Sequence, residues 1–232
     1  MNSNRFLKAP ISSRKLTTRE SIVLLESSKL NGSIFPPWAP GSKIDELDIE
    51  QPMSFLDKTH FTFSEIQQQQ FACWERLPYV LKARSISIVV DQAKLGFCDL
   101  LQDATTDCSV VSSLCAISSR TQQGFSDLYS TMFYPWDHGA QKPRLSESGR
   151  YIFKFFFNGS FRRVIIDDRL PISKNERSLF VVDRRDPTNL WPALLEKAYL
   201  KVRGGYDFPG SNSGTDLSIM TGWIPEQIFL QR

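Results

Sequence analysis

The feature that most constrains this chain is a hairpin written into residues 151 to 166. Tyr151-Ile152-Phe153-Lys154-Phe155-Phe156-Phe157 is dense in aromatic and β-favouring residues. Asn158-Gly159 follows, a dipeptide that readily takes the left-handed backbone of a tight two-residue turn, and Phe161 to Ile166 forms the returning strand. A chain that commits to this hairpin needs a core to receive it. The 17 phenylalanines and a hydrophobic fraction of 41%, against 23% charged, supply one. At 232 residues there is room for one sizeable domain or two small ones.

Helical spacing appears on both sides of the hairpin. From Cys108 to Ile117 the apolar groups fall at 110, 111, 114 and 117, which predicts a largely buried helix beginning at Cys108. Residues 190 to 202 predict a second, strong helix. Thr188 or Asn189 is expected to cap it, Pro192 sits in its first turn, and Gly204-Gly205 ends it. Shorter helices are expected from Thr18 through Leu25 and from Thr215-Asp216 to Thr221-Gly222. The Gln67 to Gln70 tract reads as the exposed face of a helix continuing through Phe71 and Trp74, and Leu179 to Val182 as a third short strand. Residues 1 to about 20 form a polar lead-in.

Composition excludes several roles. A net charge of +3 and a pI of about 8.7 give no argument for nucleic acid. No run approaches the roughly 20 apolar residues of a transmembrane segment, and the N-terminus lacks the apolar core of a signal peptide. Cys73, Cys98, Cys108 and Cys115 form no CxxC pair and no His-Cys metal spacing, so they read as reduced thiols of a cytoplasmic protein.

Among the four, Cys108 has the setting of a nucleophile. A nucleophilic thiol needs its thiolate favoured, and the N-terminus of a helix contributes through its dipole and unpaired amides. Asp107 is placed to cap that helix. Gln102 lies upstream on the incoming loop, where its amide can turn toward a developing oxyanion, with the Cys108 backbone N–H as second donor. On these residues alone a structural core thiol is the stronger reading.

A resemblance changes the balance. The run Gln102-Asp103-Ala104-Thr105-Thr106-Asp107-Cys108-Ser109 resembles the calpain nucleophile motif, with Ser109 where the family usually has Trp. That substitution, with Val-Val-Ser-Ser-Leu following, is similar to the PalB branch of fungal pH-signalling calpains and their animal relatives. Val164 to Pro171, Leu190 to Tyr199, Gly204 to Ser213 and Leu217 to Glu226 match further family segments in order. The resemblance covers about residue 70 to the C-terminus. It implies an α+β papain-like protease core: a cysteine-bearing subdomain with a buried nucleophile helix and a small antiparallel sheet. It divides the chain into an N-terminal extension over 1–70, partly flexible, the cysteine subdomain over 71–210, and the start of a truncated second subdomain over 211–232.

The same resemblance implies a calpain-like cysteine endopeptidase that performs limited proteolysis of a protein substrate. In the PalB branch the substrate is a zinc-finger transcription factor in ambient-pH signalling, with recruitment to endosomal ESCRT-III components. The catalytic His and Asn of the family have no counterpart here. The two histidines, His60 and His138, fall on loops outside the family's catalytic position. An incomplete gene model or fragment, an inactive truncated relative acting as a scaffold, and substitution by His138 are the competing explanations. The first is favoured, and the chain by itself is expected to be inactive. Conventional calpains also bind calcium in this subdomain. Asp99 fits the first ligand position, but the second is Asn189, a neutral oxygen, so the sequence leans against calcium dependence.

Overall fold

The computed structural model describes residues 16–38, 54–83, 99–102, 107–123, 128, 132–137, 139, 142–175, 178–226 and 228. The hairpin forms as the sequence requires. Arg150–Phe157 and Ser160–Asp167 pair antiparallel at every position, and the turn residues Asn158 and Gly159 have φ of 48° and 75°. Tyr151, Phe153, Phe155, Val164 and Ile166 point into the core, each no more than 2% exposed. The short strand Phe133–Tyr134 joins the outer edge of Arg150–Phe157, giving a three-stranded sheet.

The central helix, Trp191–Arg203, lies against this sheet. It carries Pro192 in its first turn and ends at Gly204, whose φ of 109° is the left-handed stop expected of a glycine. Its start departs from expectation. Leu190 holds the cap position without a side-chain hydrogen bond. Thr188 instead bonds to Asp186, and Asn189 donates to Asp183 Oδ2 at 3.0 Å. Asp183 and Asp186 thus organise their own loop and draw both candidate caps away from the helix.

Two other segments differ from the sequence reading. The helix at the glutamine tract is only Glu65–Gln70, and Phe71–Arg76 is a strand paired with Arg169–Ser173. Helical spacing of Phe71 and Trp74 misled because their rings join an aromatic cluster with Phe61, Phe63 and Tyr206 that only the tertiary fold assembles. Leu179, Phe180 and Val181 are buried, but only Val182–Asp183 forms a strand, against Leu100–Leu101. Burial, not pairing, explains that apolar run.

The segment before residue 71 is built into the same body. Thr18–Glu26 is a helix with a capping box between Thr17 and Glu20. Phe35 is 1% exposed in the core, and Asn31 Nδ2 donates to the Val202 carbonyl at the end of the central helix. Arg162 is buried beneath the end of the first helix. It donates to Ser27 and Ser28 hydroxyls and to the Asn158 carbonyl, where the negative end of the helix dipole favours a cation. Toward the other end of the chain, Ser213–Thr221 forms a helix packed against Cys108–Gln122, with Met220 fully buried. Residues placed in a second subdomain by the sequence reading are therefore in contact with the cysteine helix.

A buried ion network joins these parts. Lys197, on the central helix, donates to the Asp167 carboxylate and to the Asp167 and Arg169 carbonyls. Asp167 also accepts from Arg169 Nε at 2.7 Å and from the Asp57 backbone N–H at 3.0 Å. The Asp57 carboxylate binds Lys201, one turn along the central helix, at 2.8 Å. Burial alone would push the Asp167 carboxyl up. The Lys197 charge and hydrogen bond outweigh it and hold the group below the ordinary carboxylate range.

Asp167→Asn leaves a fully buried ammonium without its counter-ion, and a loss of about 3–5 kcal/mol is expected from urea unfolding. Because the folded-state pKa is depressed, this contribution is present above about pH 4 and disappears as pH falls toward the folded value. The wild-type chain should show that acid limb, and the variant should lack it.

Candidate active site

Cys108 is the first residue of its helix, Cys108–Gln122, and is exposed. The helix is buried on one face only. Val110, Leu114 and Ile117 are fully buried, while Cys108, Ser112, Cys115 and Ser119 lie along the exposed side. The expectation of an apolar helix holds for the inner face, and the outer stripe of small polar residues leaves the cysteine at its open end.

Asp107 occupies the cap position, but its side chain does not cap. No side-chain hydrogen bond is made to the first turn, and the Val110 N–H reaches the Asp107 backbone carbonyl at 2.8 Å. The carboxylate turns instead toward the incoming loop, where its Oδ1 accepts from Gln102 Nε2 at 2.9 Å. Gln102 is thus tied to the residue immediately before Cys108. The loop itself is anchored by the pairing of Leu100–Leu101 with Val182–Asp183.

The other side of the helix start contacts the loop before Ser213–Thr221. Ser109 Oγ accepts from the Ser211 N–H at 2.8 Å, and the Ser113 hydroxyl donates to the Ser213 carbonyl at 2.9 Å. Sequence reasoning did not find these contacts. Their only signal was the small hydroxyl residue after Cys108, which leaves space for the approach.

Glu196 and Tyr206 were also missed. Glu196, on the central helix, is fully buried and accepts from the Val181 N–H at 2.9 Å. Burial first, and then the Asp107 carboxylate, push its carboxyl well above the ordinary range, against a smaller pull from Val181. The buried Tyr206 phenol is pushed up, chiefly by burial.

Asp99 lies beside this site. Its Oδ1 accepts from Arg184 at 2.8 Å, and its backbone N–H donates to Asp183 Oδ1 at 3.2 Å. The Arg184 hydrogen bond lowers its carboxyl. Asn189 gives its amide nitrogen to Asp183. Among the described residues no group of three or more His, Cys, Asp or Glu side chains could hold a metal ion. As placed, Asp99 answers a guanidinium, and these residues do not fit calcium.

His60 lines a cavity of about 380 Å³ with Phe61, Phe63, Trp74, Arg169 and Lys197, and Cys108 is not part of its wall. His138 lies outside the described residues, as does Cys98.

The model of the calpain family of cysteine proteases matches residues 53–232. The chain belongs to the calpain family of cysteine proteases. It is similar to the calpain-like protease palB of Emericella nidulans, 51% identical over 235 residues, which cover 97% of this chain and 27% of the relative. With the palB/RIM13 protease of Aspergillus oryzae the identity is 54% over 229 residues, covering 96% and 26%. Human calpain-7 is 34% identical over 246 residues, covering 99% and 28%. The chain spans about a quarter of the length of these curated relatives. The resemblance to the PalB branch and the α+β calpain protease core are thereby shown. No helix among the described residues is long and apolar enough to cross a membrane.

The Asp99–Arg184 pairing predicts no calcium response in this calpain segment. About 5 mM calcium should shift its melting temperature by less than about 1 °C in differential scanning fluorimetry, since a cation that does not bind the folded state does not stabilise it.

Proposed function

We propose that this chain carries the nucleophile-bearing part of a papain-like cysteine endopeptidase site. Support comes from the exposed Cys108 at a helix N-terminus with Gln102 held beside it through Asp107. In this reading Cys108 Sγ attacks the carbonyl carbon of a protein substrate. The carbonyl oxygen becomes an oxyanion that accepts from the Cys108 N–H and from the Gln102 side-chain amide. A general base takes the Cys108 thiol proton and returns it to the amine as the tetrahedral intermediate collapses, and water then cleaves the thioester. The general base and the group that orients it are assigned to no described residue.

The chain alone is proposed to be inactive, with peptidase activity belonging to proteins of the relatives' full length. The naming of the fungal relatives as palB proteases extends the proposal to limited proteolysis in ambient-pH signalling. The substrate would be a zinc-finger transcription factor, and the protein would be cytoplasmic with recruitment to endosomal ESCRT-III components. One observation favours a scaffold as second reading: His60 makes no hydrogen bond to Cys108 and lines a different cavity.

Two measurements test this. Peptide-resolved mass spectrometry of iodoacetamide labelling at pH 7 should find Cys108 reacting faster than Cys115. Although Cys115 is exposed as a residue, desolvation around its sulfur, and then the Asp99 carboxylate, push that thiol up and deplete its thiolate. Cys108→Ala in a protein of the relatives' length should lower casein cleavage by at least about a thousandfold. Equal labelling of the two cysteines together with an unimpaired Cys108→Ala enzyme would leave the scaffold reading.

A further inference from the structure

The acid at position 196 has no evident reason to be where it is. A glutamate that is 0% exposed, on a helix face shared with Pro192, Ala193, Tyr199 and Leu200, costs several kcal/mol if ionised and unpaired. Among the described residues no Lys or Arg neutralises it: its Oε2 accepts from the Val181 N–H, and the Asp107 side chain lies against it. Oε1 is buried and accepts no hydrogen bond among the described residues. An oxygen that accepts nothing, on a carboxyl facing a second carboxyl, is accounted for if it bears a proton. Two carboxylates in contact cannot both ionise in such a site, so one of them keeps the proton. Asp107, which is also held by the Gln102 amide, is the better placed to carry the charge.

We propose that Glu196 is a neutral, proton-donating positioning residue, whose O–H holds Asp107 so that Asp107 Oδ1 fixes the Gln102 side chain beside Cys108. The proposal rests on the reading of this site as a cysteine peptidase site. The Val181 N–H fixes Glu196, and Glu196 donates to Asp107. Asp107 then accepts from Gln102 at 2.9 Å, and Asp107 is the residue immediately before the nucleophile. A central-helix side chain thereby sets an oxyanion donor without touching substrate. The Tyr206 phenol also faces this cluster, and the Asp167 and Lys197 pair lies beyond it. None of these is a cation in contact with Glu196 that would favour its ionised form.

The roles of proton donor and space filler separate with two substitutions. Glu196→Gln keeps an N–H donor for Asp107 and an acceptor for Val181, whereas Glu196→Leu keeps only volume. In the 232-residue chain with carboxyl-¹³C glutamate, the Glu196 signal should stay at the protonated position from pH 5 to pH 8. The Gln102 side-chain amide protons should be protected from exchange in the wild type and in Glu196→Gln. In Glu196→Leu they should exchange at least about tenfold faster. In a protein of the relatives' length, Glu196→Gln should keep kcat within about threefold. Glu196→Leu should lower kcat about tenfold or more at unchanged KM, as when an oxyanion donor is misplaced.

Ionisation of Glu196 anywhere below pH 8, or Gln102 protection lost equally in both variants, would overturn the proposal. So would Gln102 protection unchanged in Glu196→Leu. If Glu196→Leu does not fold, the wild-type titration and the Gln variant still decide. The Gln102 and Glu196 signals do not depend on catalysis, so a failure of the peptidase reading would appear separately, as absent cleavage by the wild-type full-length protein.

Discussion

The structure depends on one buried ion pair. Lys197 and Asp167 meet where the central helix crosses the end of the hairpin, both essentially shielded from solvent. An ion pair so placed stabilises little against an apolar alternative, because both charges lose their hydration. What it provides is register. The Lys197 ammonium makes three hydrogen bonds, to the Asp167 carboxylate and two carbonyls around the bend from Ser160–Asp167 to Arg169–Ser173. The helix can therefore neither slide nor rotate against the sheet without stranding a charge. Asp57 and Lys201 repeat the arrangement on the next turn and bring residues 54–70 into the same lock.

With the helix fixed, its neighbouring residue becomes a tool. Glu196 and Lys197 are adjacent in sequence, so on a helix they point about 100° apart. One faces the hairpin, the other the start of the cysteine helix. The lock that sets Lys197 also sets how far Glu196 reaches toward Asp107. The position of Gln102 is thus coupled to the core through a single helix turn, while Cys108 stays open on the outer side. The Ser109–Ser211 and Ser113–Ser213 contacts hold the cysteine helix from its other flank.

Much of this was legible in advance, for identifiable reasons. The hairpin was readable because Asn158-Gly159 encodes its turn locally, and the central helix because Pro192 and Gly204 mark its ends by backbone chemistry. The misread segments are those whose conformation is set by distant partners. Phe71–Arg76 is a strand because Arg169–Ser173 lies beside it, and helical spacing of aromatics carries no trace of that pairing. Thr188 and Asn189 look like caps, yet Asp186 accepts from Thr188 and Asp183 from Asn189, and the cap position falls to Leu190. Asp107 likewise sits at a cap position but faces Gln102.

The sequence by itself determined the family, the hairpin, the main helices and the cysteine at a helix start, since each is encoded in a short run of neighbouring residues. Only the tertiary structure decided which polar groups meet: Arg184 on Asp99, Gln102 on Asp107, Glu196 behind it, and Lys197 on Asp167. The physical reason is common to all four. A buried or half-buried polar side chain takes whichever partner the packing of the apolar core leaves within hydrogen-bonding reach, and that partner is fixed by the fold of the whole chain.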